Sequence, residues 1–168
     1  MKQPQARTHV FAPAGFAENV AAETEALQQF LKILQSEQEA LTLGNIDKLI
    51  EYVRLKSDQG LRLSQLSANL HRILRQYGFA GTPEDVSRFI QREDPDGKCG
   101  LTRHWENLMN LAKQAQDMNQ LNGAMIETQL KRNQQALTIL QEAAKQTMLY
   151  GPTGHSQGLG LGRRLGKV

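Results

Sequence analysis

A chain of 168 residues has room for one domain, and 39% hydrophobic with only 5% aromatic residues suits an extended helical bundle better than a broad globular core. Twenty basic against 17 acidic residues give a net charge of +3, too mild a balance to imply nucleic acid as a partner. The single cysteine, Cys99, excludes an internal disulfide framework and fits a reducing compartment.

Residues 1 to about 15 show no periodicity and are expected to be flexible. Lys2 and Arg7 precede Val10–Ala17 in the order of a signal peptide, but Pro13 and Gly15 break the short apolar stretch. No run approaches the roughly 20 apolar residues that cross a bilayer, so stable membrane insertion is not expected. The expected compartment is the cytoplasm.

A first helix is predicted from about Phe16 to Leu43. Its seam is Val20, Thr24, Leu27, Leu31, Leu34, Gln38 and Leu41, a heptad alternation with polar interruptions. Gly44 is a stop and Asn45 a cap for the next helix, so the two should form an antiparallel hairpin. The second helix is predicted from Ile46 to Tyr77, ending at Gly78. Its predicted seam is Ile46, Leu49, Val53, Lys56, Gly60, Leu63, Ser67, Leu70, Leu74 and Tyr77, widened by Ile50, Leu61, Leu66 and Ile73. Lys56 in that seam reads either as a member of a buried ion pair or as a snorkelling side chain.

Thr82-Pro83-Glu84-Asp85 is a helix start with a cap, a proline in the first turn and two acids beside it. A short helix to about Gln91 follows, with Val86, Phe89 and Ile90 apolar, and Glu93–Gly97 forms a turn. The last long helix is predicted from Thr102 to Gln146. Its first half has a seam at Leu108, Leu111, Ala115, Met118, Asn122 and Met125. Its second half carries a stripe of Ile126, Leu130, Leu137, Leu140 and Ala144, spaced 4, 7, 3 and 4. The two are out of phase by a four-residue stutter centred on Asn122-Gly123. Either a 3.6-residue helix drifts against a 3.5 repeat, or the helix changes partner there. Gly123 weakens the helix by about 1 kcal/mol relative to alanine, so a bend is a further option. Residues 147–168 are glycine-rich and basic and are expected to be a flexible tail.

Little in the chain suggests chemistry. His9, His71, His104 and His155 are scattered without metal-ligand spacing, and nothing near Cys99 would lower its pKa. Asp94-Pro95-Asp96-Gly97 begins like a calcium loop but lacks the third acid and the closing glutamate. Gly158–Arg164 has the glycines of a phosphate loop without a strand before it or a helix after it. No nucleophile–base pair or carboxylate dyad stands out. An enzyme, a cofactor and a metal are all unexpected.

Three blocks in order carry a resemblance: Asn119-Gln120-x-Asn122-Gly123-x-x-Ile126-Glu127, then Asn133-Gln134-Gln135-Ala136-Leu137, then Leu149-Tyr150-Gly151-x-x-Gly154. Together they resemble the C-terminal signature of the FlgN family of flagellar export chaperones. Glu39-Ala40-Leu41-x-x-Gly44-Asn45 and Lys56 are similar to its looser N-terminal pattern, and His155 stands where the family has glutamine. The resemblance implies a cytoplasmic chaperone of a type III secretion system. Its clients would be hook-associated proteins of the hook–filament junction, held by their C-terminal segments and handed to the export-gate membrane protein. It places Asn119, Asn122, Gly123, Ile126, Glu127, Asn133 and Leu137 in the client-binding helix, where the stripe adds Leu130 and Leu140. It makes Tyr150 the contact to the gate.

The expected architecture is all-α: an elongated antiparallel bundle of three long helices plus one short one, with coiled-coil-like packing over residues 16–146. The client-binding segment covers about 119–146. Beyond Gly123 the chain is expected to be mobile or docked on itself in the free protein, and to clamp the client when bound. The alternative from another class is a structural coiled-coil adaptor that self-associates through its seams.

Overall fold

The computed structural model describes residues 14–149, with side chains over 15–146. Four helices and no strand make up those residues: α1 (Ala14–Leu43), α2 (Ile46–Gln76), α3 (Pro83–Glu93) and α4 (Leu101–Leu149). The chain divides into two units between Met125 and Ile126. The N-terminal segment, Tyr150 and the basic tail lie outside the described residues.

In the first unit the turn chemistry acts as the sequence predicts. Gly44 takes φ +66, a left-handed conformation that costs glycine nothing, and Asn45 then caps α2 by accepting from the Lys48 N–H. This tight reversal makes α1 and α2 antiparallel. Asn19 donates to the Leu66 carbonyl, Gln59 to the Ala26 carbonyl, and Lys56 to Glu37. One strand of partners thus ascends while the other descends. α4 runs in the same direction as α1. His104 and Asn107 line a recess with Ala17, Val20 and Thr24, and further along Asn122 bonds to Leu34. The result is an up-down-up bundle with α3 in the connection, an all-α fold as expected.

The core combines Phe16, Val20, Leu27, Leu31 and Leu34 of α1 with Leu70, Ile73 and Leu74 of α2, Val86, Phe89 and Ile90 of α3, and Leu101, Leu108 and Ala115 of α4. Phe89 is its aromatic centre, with Phe16, Tyr77 and Phe79 rings 4.8, 5.2 and 5.7 Å away. Arg92 lies over the Tyr77, Phe79 and Phe89 rings and closes that end.

Two buried aspartates fasten the connection. Thr82 and Asp85 form a reciprocal capping box, and the Asp85 carboxylate also accepts from the Ala80 and Gly81 N–H groups. Burial pushes the Asp85 carboxyl up, but the hydrogen bonds from Thr82, the Arg88 guanidinium and the Gly81 N–H outweigh it and hold it below the usual carboxylate range. Asp94 accepts from the Cys99 and Leu101 N–H groups, so its carboxylate tethers the start of α4. The Cys99 N–H is the main reason its carboxyl also sits low, against the opposing effect of burial. The segment that begins like a calcium loop is therefore a self-closed turn whose first acid is spent on backbone donors.

α2 departs from the predicted seam. Its inward row is Leu49, Tyr52, Lys56, Gln59, Leu63, Leu66, Leu70 and Ile73, each buried or half-buried and spaced 3 and 4 throughout. Ile46, Val53, Gly60 and Tyr77, assigned inward by the sequence, are exposed, as are Ile50 and Leu61. The cause is polar. Lys56 and Gln59 point inward because Glu37 and the Ala26 carbonyl wait for them on α1. The helix is thereby turned so that its apolar residues at 46, 50, 53 and 61 face out.

Among the described residues no helix is long and apolar enough to cross a membrane.

Candidate functional site

A buried side chain lies near the start of the predicted functional segment. Asn122 is 0% exposed. Its Nδ2 donates to the Leu34 carbonyl at 2.8 Å and to Glu37 Oε2 at 2.9 Å. Glu37 is itself 1% exposed, and both its oxygens accept from Lys56 Nζ, at 3.1 and 3.0 Å. Asn122, Glu37 and Lys56 therefore join α4, α1 and α2 in one polar layer. Asn122 Oδ1 is buried without a partner. Such an orphan acceptor costs on the order of 1–3 kcal/mol. A buried asparagine in a helical seam trades stability for a fixed register, because sliding α4 by one turn would strand its donors too. The resemblance places Asn122 in the client-binding helix; its side chain faces inward, as its place in the first seam requires, and sets the position of α4.

Past this layer α4 continues unbroken through Gly123, which is exposed and has open space where a Cβ would stand. No bend is needed to reconcile the two apolar patterns. Leu108, Leu111, Ala115, Met118, Asn122 and Met125 are all buried or half-buried, as the first seam requires. Ile126 begins the second pattern one residue later, about 100° around the helix. It is exposed, and so are Leu130, Leu137, Leu140 and Ala144. Leu130 and Leu137 are 56% and 57% exposed, large values for leucine. The stutter thus marks a change from a packed face to an open one.

The other predicted residues fall on the same helix. Asn119, Glu127 and Asn133 are exposed. In the second unit, the row Ile126, Leu130, Asn133, Leu137, Leu140 and Ala144 repeats at 4 and 3 residues, one seam of a coiled coil with a single polar position. No group of His, Cys, Asp or Glu among the described residues could hold a metal ion. What the arrangement offers chemically is an apolar landing strip with polar flanks, suited to another amphipathic helix. Tyr150 lies outside the described residues.

Sequence reasoning missed one feature, the outward apolar stripe of α2 at Ile46, Ile50, Val53 and Leu61. Its spacing of 4, 3 and 8 was visible, but it was merged with the inward row.

The family model described as FlgN protein matches residues 14–158. The chain is similar to the Flagella synthesis protein FlgN of Yersinia enterocolitica, 26% identical over 151 residues, which cover 88% of this chain and 94% of that one. It is similar also to the proteins of the same name from Salmonella typhimurium, 25% identical over 79% of this chain and 84% of that one, and from Proteus mirabilis, 30% identical over 74% and 78%. No solved structure gives a significant match.

Proposed function

The chain belongs to the FlgN family and serves flagellar assembly, and from that premise we propose that it is a cytoplasmic export chaperone for hook-associated proteins. It covers the amphipathic C-terminal segments of those clients, prevents their premature assembly and delivers them to the membrane export gate. The observation that carries this reading is the open aliphatic row of α4, Ile126, Leu130, Leu137 and Leu140.

The physical case is as follows. The terminal helices of a filament-forming subunit are apolar on one side and are covered only by neighbouring subunits after assembly. Before export they would expose that side and aggregate. A chaperone helix with a matching stripe covers them without consuming a nucleotide. Burying four large aliphatic side chains contributes about 6–12 kcal/mol gross. Association and ordering cost about 4–15 kcal/mol. The two nearly offset, so binding is of moderate strength and reversible, as a client that must be released for export requires.

In this proposal Leu130, Leu137 and Leu140 are the principal client contacts, with Ile126 at the start of the row. Asn133 is the polar position within the row, Glu127 flanks it, and Asn119 and Gly123 lie on the preceding turns of the same helix. Asn122 acts as the anchor of α4. Tyr150, in the block shared with the family, is assigned to the export gate.

Light scattering of a purified hook-associated protein tests the proposal. Equimolar full-length chain should hold scattering at its baseline, and a chain ending at Met125, checked for helix content by circular dichroism, should not. Equal protection by both would remove the basis of the assignment.

A further inference from the structure

α2 is apolar on two sides, and one of them is open. Ile46, Ile50 and Val53 are 68%, 66% and 62% exposed. With Ser57 and Gly60 they follow a 4, 3, 4, 3 spacing, the seam of a coiled coil. This row is the inward row shifted by one residue, about 100° around the helix, and its exposure shows that the bundle does not stand in front of it. It belongs wholly to the first unit and is separate from the stripe of α4.

We infer that the occupant of this face is a second copy of the same chain, its α2 antiparallel to the first across a two-fold axis. The row is self-complementary in that orientation. With Ile50 of one copy opposite Val53 of the other, Ile46 falls opposite Ser57, so every layer sets a large side chain against a smaller one. Gly60 then falls level with the other copy's hairpin tip, where Leu43 projects at 81% exposure. The space beside Gly60 is open, with nothing within 4 Å of where its Cβ would be. The same register brings Asp47 of one copy beside Arg54 of the other, twice by symmetry. Both residues are exposed, and among the described residues neither side chain has a hydrogen bond or ion pair within its own chain. In a symmetric dimer one patch must complement itself, and here size and charge both do.

The contact is small. Four layers of one helix pair fall below the roughly 1,200 Å² that marks stable interfaces, so the dimer forms and dissociates with concentration. Sedimentation equilibrium on the full-length chain tests this. The mean mass should rise from one chain toward two as concentration increases from about 1 to about 300 µM, the span in which interfaces of this class associate. Ile50→Asp should stay at one chain throughout with an unchanged melt, since the side chain is exposed. Asp47→Arg and Arg54→Asp should each weaken association about tenfold, and the double exchange should restore it, the expected behaviour of a paired charge. A single-chain mass at every concentration overturns the inference. So does an Ile50→Asp chain that associates like the parent, or a double exchange no better than either single one. Association that survives Ile50→Asp but is lost on Leu130→Asp places the contact on α4 and overturns it equally.

Discussion

Removing the Lys56 ammonium tests the polar layer that holds α4 in register. Both Glu37 oxygens lie within 3.1 Å of Lys56 Nζ, and the carboxylate is 1% exposed, so in Lys56→Met it keeps only the Asn122 amide as a side-chain donor. Breaking one side of a buried ion pair costs about 3–5 kcal/mol. Lys56 keeps 22% of its side-chain surface in water, which lowers the expected loss to about 2–3 kcal/mol. For a chain of this length that lowers Tm by roughly 5–10 °C. The companion variant Glu37→Gln with Lys56→Met buries no charge and keeps an acceptor for Asn122. It should return to within about 1 kcal/mol of the parent. Thermal and urea unfolding followed by circular dichroism measure both. A single variant that loses less than about 1 kcal/mol, or a double variant no more stable than the single, refutes the claim that a buried charge is at stake.

Three further outcomes follow from particular residues. Burial raises the Glu23 carboxyl above its usual value despite the opposing pull of His71, and Glu23 Oε2 is buried without a partner. A carboxyl raised in the folded state costs stability at neutral pH, and that cost fades as pH falls through its folded value. Glu23→Gln should therefore raise Tm at pH 7, with the gain vanishing below about pH 4; a gain independent of pH would contradict this. Gly123→Ala meets open space and should stabilise the fold by about 1 kcal/mol in urea unfolding, whereas a loss would show that the helix requires glycine there. Tyr150→Ala should leave client affinity intact and weaken binding to the export gate, and equal loss of both would refute separate sites.

Where local chemistry dominates, the sequence announces the fold. The Gly44-Asn45 reversal, the Thr82 capping box and the α1 seam all appear where turn and cap residues place them. The α4 seam from Leu108 to Met125 and its switch at Ile126 were also legible, because apolar spacing is a property of one helix alone. The α2 seam was legible in part: Leu49, Lys56, Leu63, Leu70 and Leu74 face inward as assigned, whereas Gln59, which a hydrophobic pattern leaves to solvent, turns inward only because α1 supplies the Ala26 carbonyl. Asn122 is legible as a seam position, but the partners of its amide, Leu34 and Glu37, lie more than eighty residues away in sequence and no local pattern names them. Nor does spacing distinguish an apolar row that packs from one that stays open, as α2 and α4 each show on one face.

The central claim is that the open row of α4 receives a client helix and does not belong to the chain's own core. Calorimetric titration of a hook-associated protein's C-terminal segment into the Leu130→Asp, Leu137→Asp double variant, beside a thermal melt of the same sample, tests it most directly. Binding should disappear while Tm stays within about 2 °C of the parent, as expected for substitutions at exposed positions. Undiminished binding, or a collapse of Tm together with binding, would contradict it.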